Sequence, residues 1–113
     1  PKKLGKSARR LLERAPAVGV SAISVWEVVM LVTRGRLRLD RDVREWLREA
    51  LAVEKLSVLP VEASIALTAA LLGSALHYDP ADRIIVATAM ELGAPLITKD
   101  ATITDAGIVR CVW

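Results

Sequence analysis

The sequence contains no asparagine, glutamine or phenylalanine, and among its 113 residues it has only one cysteine, one histidine and one tyrosine. The lone cysteine, Cys111, cannot form a disulfide bond within the chain, which predicts a protein of a reducing compartment, the cytoplasm. The lack of asparagine and glutamine is typical of thermophile proteins and of high-GC genomes. The longest apolar runs, such as 28–32, are far shorter than the roughly 20 residues that cross a bilayer, and no signal-peptide pattern opens the chain. We therefore expect neither a membrane-spanning nor a secreted protein.

The composition that remains is that of a folded globular domain. Apolar residues make up 53% of the chain and charged residues 26%, which excludes an intrinsically disordered chain. A length of 113 residues fits one domain that buries a core without disulfide bonds or structural metal. We therefore expect residues 1–113 to form a single domain.

The charges are divided unevenly along the chain. Residues 1–48 hold 12 of the 16 lysines and arginines against five acids, a net charge of +7, whereas residues 49–113 have a net charge of −4. This division indicates a basic surface that faces an anion and an acidic region that holds a cation. Basic side chains that simply solvate helix faces would give the same division.

Short apolar segments alternate with amphipathic segments of about a dozen residues. Strands are predicted at 18–23, 56–61, 95–98 and 108–112. Helices are predicted at 7–15, 24–35, 41–52, 62–72 and 82–92, with a turn or short helix at 101–106. This alternation predicts an α/β fold, a three-layer α/β/α sandwich with a mostly parallel sheet.

Three acidic residues stand at positions where this fold would form a ligand site. Glu27 lies near the start of the helix that follows the first strand, Asp82 opens a strong apolar helix, and Asp100 follows the strand at 95–98. Ligand crevices of parallel sheets form at the carboxyl ends of the strands. Carboxylates that converge there repel one another unless a cation neutralises them, and their hard oxygen ligands suit Mg²⁺ or Mn²⁺.

Each acid also has a purely structural interpretation. Ser24 and Glu27 have the spacing of a capping box. Asp79, followed by a proline, has the pattern of an N-cap, and Asp82 would then be a favourable acid in the first helical turn. Asp100 fits the closure of a turn. The spacing of the residues leaves both interpretations open.

The strings VSAISVWEV, HYDPADRIIVATAMELGAPLITKD and GIVRCVW, taken in this order, resemble PIN-domain ribonucleases, specifically the VapC-type toxins of prokaryotic toxin–antitoxin pairs. The resemblance extends from Leu4 to Trp113. It implies a PIN-like fold and a metal-dependent endoribonuclease, in which Glu27, Asp82 and Asp100 are the catalytic acids and bind Mg²⁺ or Mn²⁺. It further implies that Asp79 and Thr98 lie near the metal or its bound water, that a cognate antitoxin neutralises the protein, and that the protein is a cytoplasmic homodimer.

One part of the family pattern has no counterpart here, namely an aspartate on an opening strand. Pro1-Lys2-Lys3-Leu4-Gly5 resembles the stretch that follows this strand, which predicts that the natural protein has a strand ahead of Pro1. The alternative is a catalytically inert PIN-like module that binds an antitoxin or dimerises. An α/β domain outside this family, with acids that only cap helices, would bind no divalent metal.

The remaining polar residues give weaker predictions. Arg34, Arg36 and Arg38 are expected to hold RNA phosphates, because they cluster after the helix that carries Glu27. Arg83 fits either a phosphate contact or an ion pair with an adjacent aspartate. His77, which lies in a loop, could serve as a general base, but it is expected to have a structural role.

Overall fold

The computed structural model describes residues 4–113, so the predicted opening residues Pro1, Lys2 and Lys3 lie outside it. The chain divides into two compact units. The smaller unit is Pro16–Pro60, and the larger unit combines the chain up to Ala15 with Val61–Trp113. Within residues 4–113, no helix is both long enough and apolar enough to span a bilayer.

The helices and strands lie close to their predicted positions, but each strand is shorter than predicted. The helices are α1 (Lys6–Arg14), α2 (Ala22–Thr33), α3 (Val43–Ala50), α4 (Ala63–Leu71), α5 (Pro80–Leu92) and α6 (Ala101–Ala106). The strands are β1 (Val18–Ser21), β2 (Leu56–Leu59), β3 (Leu96–Ile97) and β4 (Cys111–Val112). A short 3₁₀ helix, Gly73–Ala75, follows α4.

The smaller unit is built on a parallel pair of strands. β1 pairs with β2 in a register that places Val18 opposite Leu56 and Ser21 opposite Leu59. A parallel pair needs a long crossover connection, and α2 and α3 supply it. Asp42 caps α3, because its side chain accepts a hydrogen bond from the Arg44 N–H at 3.0 Å.

The start of α2 differs from the sequence prediction. The helix begins at Ala22, and the hydroxyl of Ser21 accepts a hydrogen bond from the Ile23 N–H at 3.3 Å. Ser21 therefore ends the strand and caps the helix, so that β1 stops two residues earlier than predicted. The capping box of Ser24 and Glu27 is wrong, because Ser24 lies inside the first turn and Glu27 falls in the second turn.

The larger unit has its core between α4 and α5. Small side chains let the two helices approach closely, since Ala69 of α4 and Ala87 of α5 are buried together with Ile65. On the same helix, Val86 is 1% exposed and packs in a second buried cluster with Leu76 and Ile103. α5 is therefore held by apolar contacts along its length, which gives its N-terminal turn a rigid support.

A second parallel pair, β3 with β4, belongs to the larger unit. The chain end closes onto α1, because the Ala8 N–H donates a hydrogen bond to the Trp113 carbonyl oxygen at 2.9 Å. Gly5 is required at this contact, since a Cβ atom there would lie 2.2 Å from the same carbonyl oxygen. Both units thus contain parallel strands joined through helices, as the predicted α/β fold class requires.

Candidate functional site

The N-terminal turn of α5 has the local structure that the D-P-A-D sequence predicts. Asp79 is the N-cap, and its Oδ1 accepts hydrogen bonds from the backbone N–H groups of Ala81 at 3.0 Å and Asp82 at 3.4 Å. Pro80 occupies the first helical position, where the absent N–H costs nothing. Asp82 lies in the first turn, where the helix dipole favours a negative charge.

Three side chains at this turn come together as a cluster that we call the α5 cluster: His77, Asp79 and Asp82. One ligand atom from each lies within 4.8 Å of the others. His77 and Asp82 are partly buried, with side chains 33% and 21% exposed, whereas Asp79 is exposed. The structure therefore places two carboxylates and an imidazole at one point on the surface of the larger unit.

His77 binds Asp82 directly. Its Nε2 lies 2.8 Å from Asp82 Oδ2, within hydrogen-bond distance. An ionised carboxylate only accepts hydrogen bonds, so Nε2 must carry the hydrogen. The other ring nitrogen, Nδ1, is buried and has no hydrogen-bond partner within residues 4–113. The ring is thus anchored to Asp82 through one nitrogen only.

Arg83 has neither of the two roles that the sequence offers. Its side chain is buried, at 7% exposed, and it makes no ion pair among the described residues. The guanidinium instead donates hydrogen bonds to backbone carbonyl oxygens, those of Ala69, Ala70, Gly73, Leu76 and His77. Both the phosphate contact and the ion pair with an adjacent aspartate are therefore wrong. The physical reason is that α4 ends beside α5, and the C-terminal carbonyls of a helix, which lack i+4 partners within it, attract a cation.

Asp100 caps α6. Its Oδ1 accepts a hydrogen bond from the Ile103 N–H at 3.0 Å, and its own N–H donates to the Thr98 hydroxyl at 3.1 Å. The Thr98 hydroxyl is thus bound to the backbone of Asp100. Asp100 lies in the larger unit but outside the α5 cluster. Its capping bond uses one carboxylate oxygen and leaves Oδ2 for another ligand.

The smaller unit holds the remaining predicted residues. Glu27 is half-buried on α2, and Arg34, Arg36 and Arg38 are all exposed at and beyond the end of that helix. At 1.5 Å per residue, Arg34 lies roughly 10 Å along the helix axis from Glu27. Arg41 differs from these three, because it pairs with the carboxylates of Asp40 and Glu49.

The donor set of the α5 cluster fits a divalent cation. Carboxylate oxygens are hard ligands that suit Mg²⁺ and Mn²⁺, and an imidazole close by is tolerated by Mn²⁺. Asp79 uses Oδ1 for its cap and Asp82 uses Oδ2 for His77, so each retains an oxygen that could bind a metal. Two carboxylates at this distance repel each other, and a cation between them would relieve that repulsion.

Sequence reasoning did not place His77 at the site. The signal is present in the string H-Y-D-P-A-D, in which the histidine precedes Asp82 by five residues. That spacing does not match a helical repeat, so only the path of the loop brings the two side chains together. The structural role of Arg83 was missed for the same reason, because its acceptors belong to a different helix and the loop after it.

Comparison with known proteins assigns the chain to a family. A family model described as PIN domain matches residues 1–108. The chain is 38% identical to Ribonuclease VapC22 of Mycobacterium tuberculosis over 100 residues, which are 88% of this chain and 75% of that protein. The crystal structure of FitAcB from Neisseria gonorrhoeae is similar with a TM-score of 0.64 and 23% identity, covering 95% of this chain and 84% of that chain. These similarities confirm the predicted α/β fold.

Proposed function

The chain belongs to the PIN-domain family and is of the VapC type, and from this premise we propose that it is a metal-dependent endoribonuclease of a toxin–antitoxin pair. The observation that carries the proposal is the α5 cluster. Asp79 and Asp82 lie side by side with His77 at the start of a buried, rigid helix, where carboxylates without a cation would repel each other. Helix capping accounts for Asp79, whereas Asp82 is not a cap and its carboxylate is held by His77.

We assign Asp82, Glu27 and Asp100 as the metal ligands and catalytic acids. The Asp82 carboxylate has one oxygen held by His77, and Asp100 has one oxygen held by its cap, so that each presents its other oxygen in a defined direction. Asp79 adds negative charge beside Asp82, and Thr98 orients the backbone of Asp100. When bound, Mg²⁺ or Mn²⁺ supplies positive charge to the phosphodiester and lowers the pKa of a bound water.

The reaction that follows from this site is hydrolysis of RNA. A water oxygen forms a bond to phosphorus while the bond between phosphorus and the 3′ oxygen breaks, which leaves 5′-phosphate and 3′-hydroxyl ends. The carboxylates would orient the water and accept a proton from it, the departing 3′ oxygen would take up a proton from solvent, and no carboxylate becomes covalently attached to the substrate. Preorganised charge of this kind is the main source of catalysis in phosphoryl transfer.

Removal of the metal tests the proposal. With the protein expressed from its complete reading frame, we expect cleavage of single-stranded RNA in the presence of Mg²⁺ or Mn²⁺ and none in excess EDTA, because the acids alone do not activate water at neutral pH. Restored cleavage on addition of Mn²⁺ is the control for damage by the chelator. Cleavage that persists in EDTA would contradict the proposal. Binding of an antitoxin without any cleavage would establish the inert interaction module instead.

The three exposed arginines after α2 are proposed to hold RNA phosphates. Replacing Arg34, Arg36 and Arg38 together by glutamine should weaken RNA binding and reduce the slope of log K against log salt by about 2, since each phosphate contact on a single strand contributes about 0.7. Binding titrations at several salt concentrations measure this slope.

The control for the arginine variant removes the same charge elsewhere in the smaller unit. Arg41, Arg44 and Arg48 lie on or beside α3, and their replacement by glutamine also removes three positive charges. We expect this variant to keep a slope close to that of the wild type. Equal slopes for both triple variants would show that only the total charge matters, against a binding surface at Arg34, Arg36 and Arg38.

The VapC type also supports proposals on partners and location. We propose that a cognate antitoxin binds and neutralises the protein, and that the protein forms a homodimer in the cytoplasm. The single cysteine agrees with a reducing compartment. Light scattering on the purified protein tests the dimer directly, and a monomeric mass across the micromolar range would contradict it.

A further inference from the structure

We infer that His77 is a positioning residue, which holds the Asp82 carboxylate in the orientation that binds the metal through its other oxygen. The inference rests on the proposed function and adds to it a residue for which sequence reasoning expected a structural role. Three observations carry it: the contact of His77 with Asp82, the buried state of the second ring nitrogen, and the anchoring of the His77 backbone by Arg83.

The first observation concerns the freedom of Asp82. The carboxylate lies in the first turn of α5. The backbone N–H groups of Ala81 and of Asp82 itself already donate to Asp79 Oδ1. Within residues 4–113, the hydrogen bond from His77 Nε2 at 2.8 Å is the one that the structure describes for this carboxylate. Without it, the side chain would be free to rotate about both of its torsions. With it, Oδ2 is fixed and Oδ1 is left for the cation.

The second observation concerns the ring. Nδ1 of His77 is buried and has no hydrogen-bond partner in the described part of the chain. A ring with its hydrogen on Nδ1 would bury an unpaired donor and would also lose the bond to Asp82, so the geometry assigns the hydrogen to Nε2. Nε2 donates to Asp82 and so has no lone pair for a metal, and Nδ1, which does have one, is buried in the protein. The ring therefore acts on the carboxylate and does not itself bind the cation.

The third observation concerns the support behind the ring. The His77 carbonyl oxygen accepts a hydrogen bond from Arg83 Nη1 at 3.3 Å, and the same nitrogen lies 3.0 Å from the Leu76 carbonyl oxygen. Arg83 immediately follows Asp82 on α5, so one helix turn carries both the carboxylate and the group that fixes the loop opposite it. The backbone of His77 is thus hydrogen-bonded to the helix that carries Asp82.

Two substitutions separate positioning from the other roles. Glutamine has its amide nitrogen at the same number of bonds from Cα as Nε2, so His77→Gln can still donate to Asp82, although an amide is a poor metal ligand. Asparagine is one methylene shorter, so His77→Asn cannot reach. Groups that orient metal ligands typically contribute 10- to 100-fold to metal affinity or activity. We expect a loss of this size in both for His77→Asn, and a change within about threefold for His77→Gln.

The measurements use Mn²⁺ alone as the probe. The dissociation constant of Mn²⁺ is measured by electron paramagnetic resonance, RNA cleavage is measured in parallel, and melting temperatures confirm that the variants are folded. Tyr78→Phe is the matched control, because Tyr78 lies next to His77 but is 90% exposed. Equal Mn²⁺ affinity in His77→Asn and the wild type would overturn the inference. Loss of affinity in both variants would also overturn it, because it would make the imidazole a ligand.

A third readout needs neither metal nor RNA. His77 is the only histidine of the chain, so ¹⁵N NMR of the imidazole reports on this ring without ambiguity. In the metal-free protein with a neutral ring, we expect the hydrogen on Nε2, and a hydrogen on Nδ1 would overturn the inference. Failure of the proposed function would give a different result. The wild type would then neither bind Mn²⁺ nor cleave RNA, although the ring would still carry its hydrogen on Nε2 and donate it to Asp82.

Discussion

Asp82→Asn is expected to abolish metal-dependent RNA cleavage while leaving the protein folded. The amide keeps the shape of the side chain, and its oxygen can still accept the hydrogen bond from His77. It cannot neutralise a cation, however, and the charge on a bound metal contributes several kcal/mol to stabilisation of the transition state. Because about 1.4 kcal/mol corresponds to a tenfold change in rate, we expect a loss of roughly a hundredfold or more in kcat/KM.

The stability of this variant distinguishes a functional acid from a structural one. Removal of the charge relieves repulsion between Asp82 and Asp79, and it also forfeits a helix-dipole interaction of about 0.3–1 kcal/mol. We therefore expect the melting temperature to stay the same or to rise. Thermal unfolding followed by circular dichroism measures it. A large fall in melting temperature would favour the interpretation in which Asp82 serves only the helix.

The control for Asp82→Asn is Asp105→Asn. Asp105 is an exposed aspartate inside α6, so the change is chemically identical and lies away from the α5 cluster. We expect full cleavage activity and an unchanged metal requirement. Full cleavage activity in Asp82→Asn would contradict the assignment of Asp82 as a metal ligand. Equal losses of activity in both variants would attribute the effect to overall charge.

Arg83→Met is expected to lower the free energy of unfolding more than the replacement of any other charged residue that the structure describes. The guanidinium is buried and satisfies five backbone carbonyl oxygens at the end of α4 and in the loop after it. Methionine fills much of the volume but donates no hydrogen bonds. Each buried acceptor left unpaired costs about 1–3 kcal/mol, so we expect a loss of at least about 3 kcal/mol in the free energy of unfolding.

Chemical denaturation measures this loss, and the same change should lower the melting temperature by roughly 10 °C or more. Arg83→Lys should fall between the wild type and Arg83→Met, because an ammonium keeps the charge but lacks the planar fork that reaches several carbonyls. Arg110→Met removes an exposed arginine and should change the free energy of unfolding by no more than about 0.5 kcal/mol. A loss below 1 kcal/mol for Arg83→Met would show that the hydrogen-bond network contributes little.

RNA binding by the Arg83 variants provides a separate check. Because the side chain is directed to backbone carbonyls, we expect the RNA affinity of folded Arg83→Lys to match that of the wild type well below its melting temperature. Gel-shift titrations at low temperature measure this affinity. A loss of RNA affinity without a loss of stability would instead support a direct contact between Arg83 and an RNA phosphate.

Local patterns in the sequence predicted the helix starts where the capping side chain and the backbone N–H groups that donate to it are close in the chain. The D-P-A-D string predicted the cap of α5 correctly, because an N-cap is decided by a side chain and amides two or three residues away. The same reasoning failed at α2, where Ser24 has the required spacing but Ser21 is the N-cap. The pairing of β1 with β2 decides between them, since it determines where the extended chain ends.

The sequence by itself determined the family, the α/β fold and the order of the acidic residues, because hydrophobic periodicity and short strings of residues carry that information. Only the tertiary structure decided which polar side chains meet. Arg83 finds its acceptors 6 to 14 residues away in the chain, and His77 reaches Asp82 through a loop with no regular repeat. Long side chains are directed by whatever packs beside them, so their partners depend on the place where α4 ends against α5 and not on any spacing in the sequence.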